Sequence, residues 1–164
     1  MAAEMAMTRL PHLMLGTCVA AAFTSMTRSQ AQASALLAPV AHAMTDVTGF
    51  GLAGHLMEML KASGCGAALD LSAIPCLPGA VELAALGVAS SIAPANRAAL
   101  LGRVTGTPCP VTPLLYDPQT CGGLLAAVPA GAAQELLAAL RRTDPDAAII
   151  GQLTSGPPVI STMF

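Results

Sequence analysis

The residues with the clearest chemical potential lie at 45–55, TDVTGFGLAGH, where a carboxylate precedes three closely spaced glycines. Asp46 is followed by Gly49, Gly51 and Gly54, which form the pattern G-x-G-x-x-G. Glycines at this spacing allow a tight turn at the start of a helix, and a helix N-terminus favours bound anions. Mg²⁺ binds nucleotide phosphates through one or two protein carboxylates. The stretch is therefore consistent with half of a magnesium–phosphate site, in which Asp46 is the metal ligand.

Two other interpretations of the glycines stay open. In a dinucleotide-binding turn, a strand precedes the glycines and an acid about 20 residues further on binds the ribose. Asp70 has that spacing, but the preceding strand ends Met44-Thr45-Asp46-Val47-Thr48, whereas a strand buried on both faces should be continuously apolar. In the third interpretation the glycines only permit a tight turn and close helix packing.

A second segment, Asp117-Pro118-Gln119-Thr120-Cys121-Gly122-Gly123, combines an acid, an amide, a hydroxyl, a thiol and a Gly-Gly pair. Loops of this kind can expose backbone N–H groups that hold an anion. The alternative is a plain turn, in which Asp117 is a cap and the glycines begin a strand. The segment strengthens the metal–phosphate interpretation without deciding it.

The histidines suggest a further possibility. His42 and Asp46 are four residues apart, which places them on the same face of a strand, and His55 follows the glycine turn. A zinc or iron site from His and Asp is conceivable. The alternative for each histidine is an ordinary hydrogen-bonded structural role.

Composition excludes several classes of function. The 164 residues carry a net charge of −2, 2% aromatic residues and no Trp, which argues against nucleic-acid binding. No apolar run reaches the ~18–20 residues of a membrane span. The five cysteines form no C-x-x-C pair, so free thiols in a cytoplasmic protein are expected. Only 10% of residues are charged, compared with about a quarter or more on ordinary soluble surfaces, which indicates that a partner subunit or another domain of a longer polypeptide covers part of this surface.

The elements that must position these residues follow from glycine, proline and apolar spacing. Helices are predicted at 17–37 with Thr17 as N-cap, from the glycine turn to about Ala62 with Gly64 as the stop, within 75–87, within 94–103, and at 131–142. Strands are predicted at 40–47, 67–71, 123–129, 147–153 and 158–162, the last two around a Ser-Gly-Pro-Pro turn; 105–113 is predicted to be a loop. The mixture predicts an α/β or α+β fold in which helices cover a mixed sheet.

Several stretches together resemble the C-terminal half of selenophosphate synthetases (selenide, water dikinases), members of the aminoimidazole-ribonucleotide-synthetase-like superfamily. These stretches are AEM at 3–5 before an alanine-rich helix, TDVTGFGLAGHL at 45–56, LPGAVEL at 77–83 and DPQTCGGLL at 117–125. The resemblance covers nearly the whole chain in order, and the two longest motifs are specific in combination.

The resemblance implies an enzyme that converts ATP, selenide and water to selenophosphate, AMP and phosphate. It implies a Mg²⁺ ligand at Asp46, no catalytic residue of its own, and a homodimer for the full-length enzyme. The residues implied to face the nucleotide are Thr45, Gly49, Gly51, Gln119, Thr120, Gly122 and Gly123. The family's reactive Cys or selenocysteine, its lysine and most metal-binding aspartates belong to an N-terminal domain that this sequence does not match.

Two departures from the family pattern, the unmatched N-terminal domain and the cysteine at position 121, lead to further expectations. Residues 1–38 are expected to be a segment and long helix continuing from an N-terminal domain, with 39–164 as the domain that closes over the nucleotide, so the isolated chain is expected to be inactive. Cys121 stands where the family usually has Ser, and we expect it to be a replacement of one small residue by another. The alternatives are a related superfamily enzyme with another substrate, or a non-catalytic interaction module with the same fold.

Overall fold

A computed structural model describes residues 12–164 of this protein, with helices and strands interspersed along the chain. The AEM stretch at 3–5 lies outside the described residues. The helices are α1 (His12–Met26), α2 (Ala31–Leu37), α3 (Gly51–Ser63), α4 (Ala80–Ala85), α5 (Ala93–Ala99) and α6 (Ala130–Leu140). The strands are β1 (Ala43–Asp46), β2 (Gly66–Asp70), β3 (Val104–Gly106), β4 (Leu124–Ala127), β5 (Gly151–Thr154) and β6 (Ile160–Met163). Short 3₁₀ helices span Leu71–Ala73 and Thr112–Tyr116.

The strands divide between two sheets. β1 and β4 form an antiparallel pair, and the other strands form a sheet in the order β3-β6-β2-β5. In that second sheet β6 runs parallel to β2 and β3, while β5 runs antiparallel to β2. The α/β class with a mixed sheet is confirmed. The predicted turn at 155–158 does not form a hairpin, because β2 lies between β5 and β6.

Helix α3 forms as its sequence predicts and carries much of the core. Leu56, Met57 and Leu60 are at most 5% exposed and face the second sheet's buried residues, such as Ile160. The helix ends at Gly64, whose φ of +65° suits glycine and whose N–H donates to Leu60 O. The strongest local signals in the sequence therefore coincide with the element that supports the glycine turn.

The single long helix predicted at 17–37 is wrong, because two helices separated by residues 27–30 occupy this region. The first begins at His12 rather than Thr17. At the break, Thr27 Oγ1 donates to Phe23 O at 3.0 Å, a local bond of the kind that competes with helix continuation. Arg28, next in the chain, forms an ion pair with Asp144. A local hydrogen bond and a long-range ion pair thus coincide at the break between the two helices.

The structure contradicts the dinucleotide-binding interpretation. That interpretation needs the strands before and after α3 to lie side by side in one parallel sheet. Here β1 pairs with β4 in one sheet and β2 lies in the other. Asp70 consequently ends a strand that does not neighbour β1, and it caps the following 3₁₀ helix by accepting from Ser72 N–H at 2.9 Å.

None of the helices within residues 12–164 is both long enough and apolar enough to cross a membrane.

Candidate nucleotide and metal site

The structure brings the two sequence motifs together. Pairing of β1 with β4 places Asp46 opposite Leu124. Beyond the strands, Val47 N–H donates to Gly123 O at 3.0 Å, and Gln119 N–H donates to Thr48 O at 2.9 Å. The segment 45–51, here called the glycine turn, therefore lies against the segment 117–123, here called the DPQT loop.

Asp46 ends β1 with an exposed side chain. Among the described residues its carboxylate forms no ion pair with a Lys, Arg or His. Thr45, the residue before it, is half-buried, and its hydroxyl donates to the backbone oxygen of Asp46 at 3.1 Å. An anionic oxygen is thus available to solvent next to the point where the two motif segments meet.

The four glycines predicted to face the nucleotide fall into two pairs. A Cβ on Gly51 would lie 2.8 Å from Leu115 O, and a Cβ on Gly122 would lie 2.2 Å from Val47 O. Both glycines are therefore required for close backbone packing, whether or not a ligand binds. Gly49 and Gly123 have no heavy atom within 4 Å of an added Cβ. These two positions leave room for a ligand to approach the backbone.

The start of α3 is covered by the chain itself. Gly51, the first residue of α3, has φ +69° and packs against the backbone of Leu115, Tyr116 and Asp117. Its N–H donates to Thr48 O at 3.1 Å. The expectation that this helix N-terminus points freely at phosphates is therefore not supported at its first residue.

The polar residues of the DPQT loop differ in exposure. Gln119 is half-buried, and its Nε2 donates to Asp117 O at 3.2 Å within the loop. Thr120 and Cys121 are exposed. Cys121 has φ +51°, a left-handed conformation that is uncommon for a residue with a Cβ. The loop thus presents a hydroxyl and a thiol to solvent in a constrained backbone.

Asp117 is the carboxylate of this loop with a perturbed ionisation. Burial raises the pKa of Asp117 above its usual value, and a hydrogen bond from the backbone N–H of Ser90 partly offsets this effect. The acid side chain therefore faces a less polar environment than that of the exposed Asp46.

The histidines contribute structure rather than a recognisable metal centre. His55 is 8% exposed, lies 3.1 Å from the Thr48 hydroxyl through Nε2, and faces Glu58 at 3.4 Å through Nδ1. His42 is exposed and lies directly before β1. Within the described residues no group of three or more His, Cys, Asp or Glu side chains is arranged to hold a metal. The predicted alternative of a His-based site finds no support here.

Asn96, on α5, is a site residue that the sequence interpretation missed. It is 8% exposed, and its amide reaches both the glycine turn and the residue before the DPQT loop. The sequence carried one signal for it. Ala93, Asn96 and Leu100 have the i, i+3, i+7 spacing of one helix face, which makes Asn96 a polar residue on an otherwise apolar face.

The donor set fits part of a Mg²⁺ site. Mg²⁺ prefers oxygen ligands and binds through one or two carboxylates together with substrate phosphates and water. Asp46 supplies one exposed carboxylate, and Gly49 and Gly123 leave space beside it. The remaining ligands would have to come from phosphates, water and another domain.

Comparison with known proteins assigns the fold. Residues 7–163 match the family described as AIR synthase related protein, C-terminal domain. The chain belongs to this family. A crystal structure of the Escherichia coli hydrogenase maturation protein HypE is similar to this AIR synthase related domain with a TM-score of 0.54 and 25% identity, over 74% of this chain and 32% of that one.

Two named relatives are similar to this domain over most of its length. The domain is 42% identical over 125 residues to the selenide, water dikinase of Myxococcus xanthus (strain DK1622), which covers 74% of this chain and 36% of that protein. It is 38% identical over 138 residues to the selenide, water dikinase of Burkholderia ambifaria (strain MC40-6), covering 82% of this chain and 38% of that protein. The chain thus spans little more than a third of the length of these curated relatives.

Proposed function

We propose that this domain forms one wall of the nucleotide site of a selenophosphate synthetase, an enzyme that converts ATP, selenide and water to selenophosphate, AMP and phosphate. The observation that carries the proposal is the contact between the glycine turn and the DPQT loop beside the exposed carboxylate of Asp46. The 38–42% identity to two proteins named selenide, water dikinase supports the choice of substrate class.

In this proposal Asp46 is one ligand of a Mg²⁺ ion that neutralises phosphate charge. Thr45 keeps the end of β1 in place through its bond to the backbone of Asp46. Gly49 and Gly123 let the nucleotide approach the backbone, because a Cβ at either position would project into open space. Gln119 and Thr120 provide an amide and a hydroxyl on the opposite segment, while Gly51 and Gly122 hold the two segments together.

The domain acts in this proposal with a companion N-terminal domain, in a cytoplasmic homodimeric enzyme. Phosphoryl transfer from ATP needs a positioned nucleophile, metal ions and several groups that hold phosphate oxygens. One exposed carboxylate and two glycine-containing segments do not provide that set. Residues 39–164 would close over the nucleotide, residues 1–38 would lead from the companion domain, and the 164 residues alone would bind Mg·ATP weakly and release no AMP.

A hybrid enzyme tests the proposal directly. In the hybrid, this chain replaces the matching 36% of the Myxococcus xanthus selenide, water dikinase. Selenide-dependent release of AMP from ATP is the expected result. Asp46→Asn should lower that rate at least about tenfold, because an amide is a weaker ligand for Mg²⁺ than a carboxylate. Higher Mg²⁺ concentrations should restore part of the lost rate.

Asp70→Asn is the matched control, since Asp70 also ends a strand but lies in the other sheet. It should leave the rate of the hybrid within about twofold of the parent. Release of AMP that does not depend on selenide would favour a related enzyme with another substrate. A folded hybrid without any nucleotide dependence would favour a non-catalytic module and would contradict the proposal.

A further inference from the structure

The inner face of α5 places one buried amide between the two segments of the candidate site. Ala93 and Asn96 on α5, and Leu100 directly after it, are 9%, 8% and 7% exposed, while the other α5 residues are exposed. Water therefore has little access to the Asn96 side chain. A buried amide must find its hydrogen-bond partners within the protein, because leaving it or its partners unpaired costs free energy.

Asn96 finds its partners in the glycine turn and at the residue directly before the DPQT loop. Its Nδ2 donates to Gly49 O at 2.9 Å and to Tyr116 O at 3.0 Å. An amide nitrogen carries two hydrogens, so both bonds can form at once, and both lengths are normal for N–H···O bonds. Gly49 lies three residues after Asp46, and Tyr116 lies three residues before Gln119. One side chain thus connects the backbone near the two proposed ligand-facing residues.

The Asn96 bonds add an attachment beyond the two backbone bonds that already join the segments. Val47 N–H donates to Gly123 O at 3.0 Å, and Gln119 N–H donates to Thr48 O at 2.9 Å. Those bonds hold the glycine turn at residues 47 and 48, whereas Asn96 holds it further along, at Gly49 O, and so restrains the orientation of the turn as well as its separation from the DPQT loop. The added attachment also comes from a different element, since α5 packs against both α3 and the 3₁₀ helix that precedes the DPQT loop.

We propose that Asn96 is a positioning residue that sets the separation and orientation of the glycine turn and the DPQT loop. It touches neither the nucleotide nor the metal, and it acts through Gly49 O and Tyr116 O. Its effect on the two segments stands on the hydrogen bonds alone. Its effect on catalysis rests on the proposed function.

Asn96→Asp is the most informative substitution. Aspartate has the same shape, but it presents oxygen acceptors to two carbonyl oxygens, so both bonds are lost and replaced by repulsion. Amide hydrogen exchange of the full 164-residue chain, followed by NMR, reports the result at single residues. The Gly51 N–H, which donates to Thr48 O, and the Gln119 N–H should both exchange at least about tenfold faster.

The Ile160 N–H, which donates to Arg103 O at 2.8 Å in the second sheet, is the internal control and should change less than about twofold. Ile160→Val is the matched control variant, because it trims the buried core without touching either segment. If Asn96→Asp does not fold, Asn96→Ala removes both donors without adding repulsion. Unchanged exchange at the two segments, acceleration in only one of them, or equal acceleration at Ile160 would overturn the proposal.

Kinetics of the hybrid enzyme provide the second readout. Asn96→Asp should raise the KM for Mg·ATP at least about tenfold, whereas Ile160→Val should leave KM unchanged. An unchanged KM in an active Asn96→Asp hybrid would overturn the catalytic part of the inference. If the parent hybrid has no activity, the proposed function fails instead, and the exchange experiment alone decides the role of Asn96.

Discussion

The substitution Gly122→Ala tests the backbone contact between the two halves of the candidate site. A Cβ at this position would lie 2.2 Å from Val47 O and 2.9 Å from Gln119 Cβ. Contacts below 3.0 Å do not occur for real Cβ atoms, so one partner has to move. Val47 O belongs to the backbone directly after β1 and cannot rotate away as a side chain would. The DPQT loop must therefore separate from the glycine turn.

The cost of that separation follows from the bonds it breaks. Moving the segments apart removes the Val47 N–H to Gly123 O bond and the Gln119 N–H to Thr48 O bond. Each contributes about 1 kcal/mol, and the crowding itself costs about 1–3 kcal/mol. Alanine also has less backbone freedom than glycine in the unfolded chain, and this offsets the loss by about 0.4–1 kcal/mol. We therefore expect Gly122→Ala to lower the free energy of unfolding by about 2–4.6 kcal/mol, or the Tm by roughly 4–18 °C.

Gly123→Ala is the matched control, one residue further along the chain. No heavy atom lies within 4 Å of a Cβ at Gly123, and its φ is outside the left-handed range that favours glycine. The free energy of unfolding of this variant should lie within about 0.5–1 kcal/mol of the parent's, and any difference should be an increase.

Urea unfolding followed by circular dichroism measures both variants against the parent chain. The midpoint should fall for Gly122→Ala and stay nearly constant for Gly123→Ala, with similar slopes for all three proteins. Equal midpoints for the two variants would refute the reasoning, because they would mean that Gly122 is not packed against Val47 O.

Two further predictions concern ionisable side chains. Burial raises the pKa of Asp117, so the folded state disfavours the charged carboxylate. The resulting loss of stability is absent below the unfolded-state pKa of about 3.9 and is complete above the raised pKa of the folded state. Asp117→Asn should thus be more stable than the parent at pH 7, by less than about 1 kcal/mol, with the advantage gone at pH 3; an advantage that grows as the pH falls would contradict this sign. Burial and the nearby charge of Cys109 raise the pKa of Cys76, whereas Cys121 is exposed, so iodoacetamide at pH 7.5 should label Cys121 first. Peptide mass spectrometry measures the order, and equal labelling rates for Cys76 and Cys121 would count against the described burial.

Much of the fold that depends on local signals could be predicted from the sequence. Helix α3 and its stop at Gly64 follow from apolar spacing and from a residue type that accepts φ +65°. Helix α6 at Ala130–Leu140 lies within two residues of its predicted start and end. Strand β3 at Val104–Gly106 was missed, because three residues carry no usable periodicity and the strand exists through its pairing with β6.

The candidate site, too, could be predicted from the sequence only in part. The motif residues could be found because carboxylates, amides and glycines at those spacings suit phosphate and metal chemistry. Which glycines are open could not be predicted, since it depends on the backbone that packs over Gly51 and Gly122 and leaves Gly49 and Gly123 uncovered. The role of Asn96 depends on carbonyls 47 and 20 residues away in the chain.

The sequence by itself determined the class of fold, the strongest helices and the two motifs, because these properties depend on residue type and short-range spacing. The tertiary structure decided which strands pair, and how the glycine turn and the DPQT loop meet. Each of those outcomes rests on contacts between residues far apart in the chain, such as Gly122 with Val47. Such contacts form only after the whole chain has packed, so no local pattern carries them.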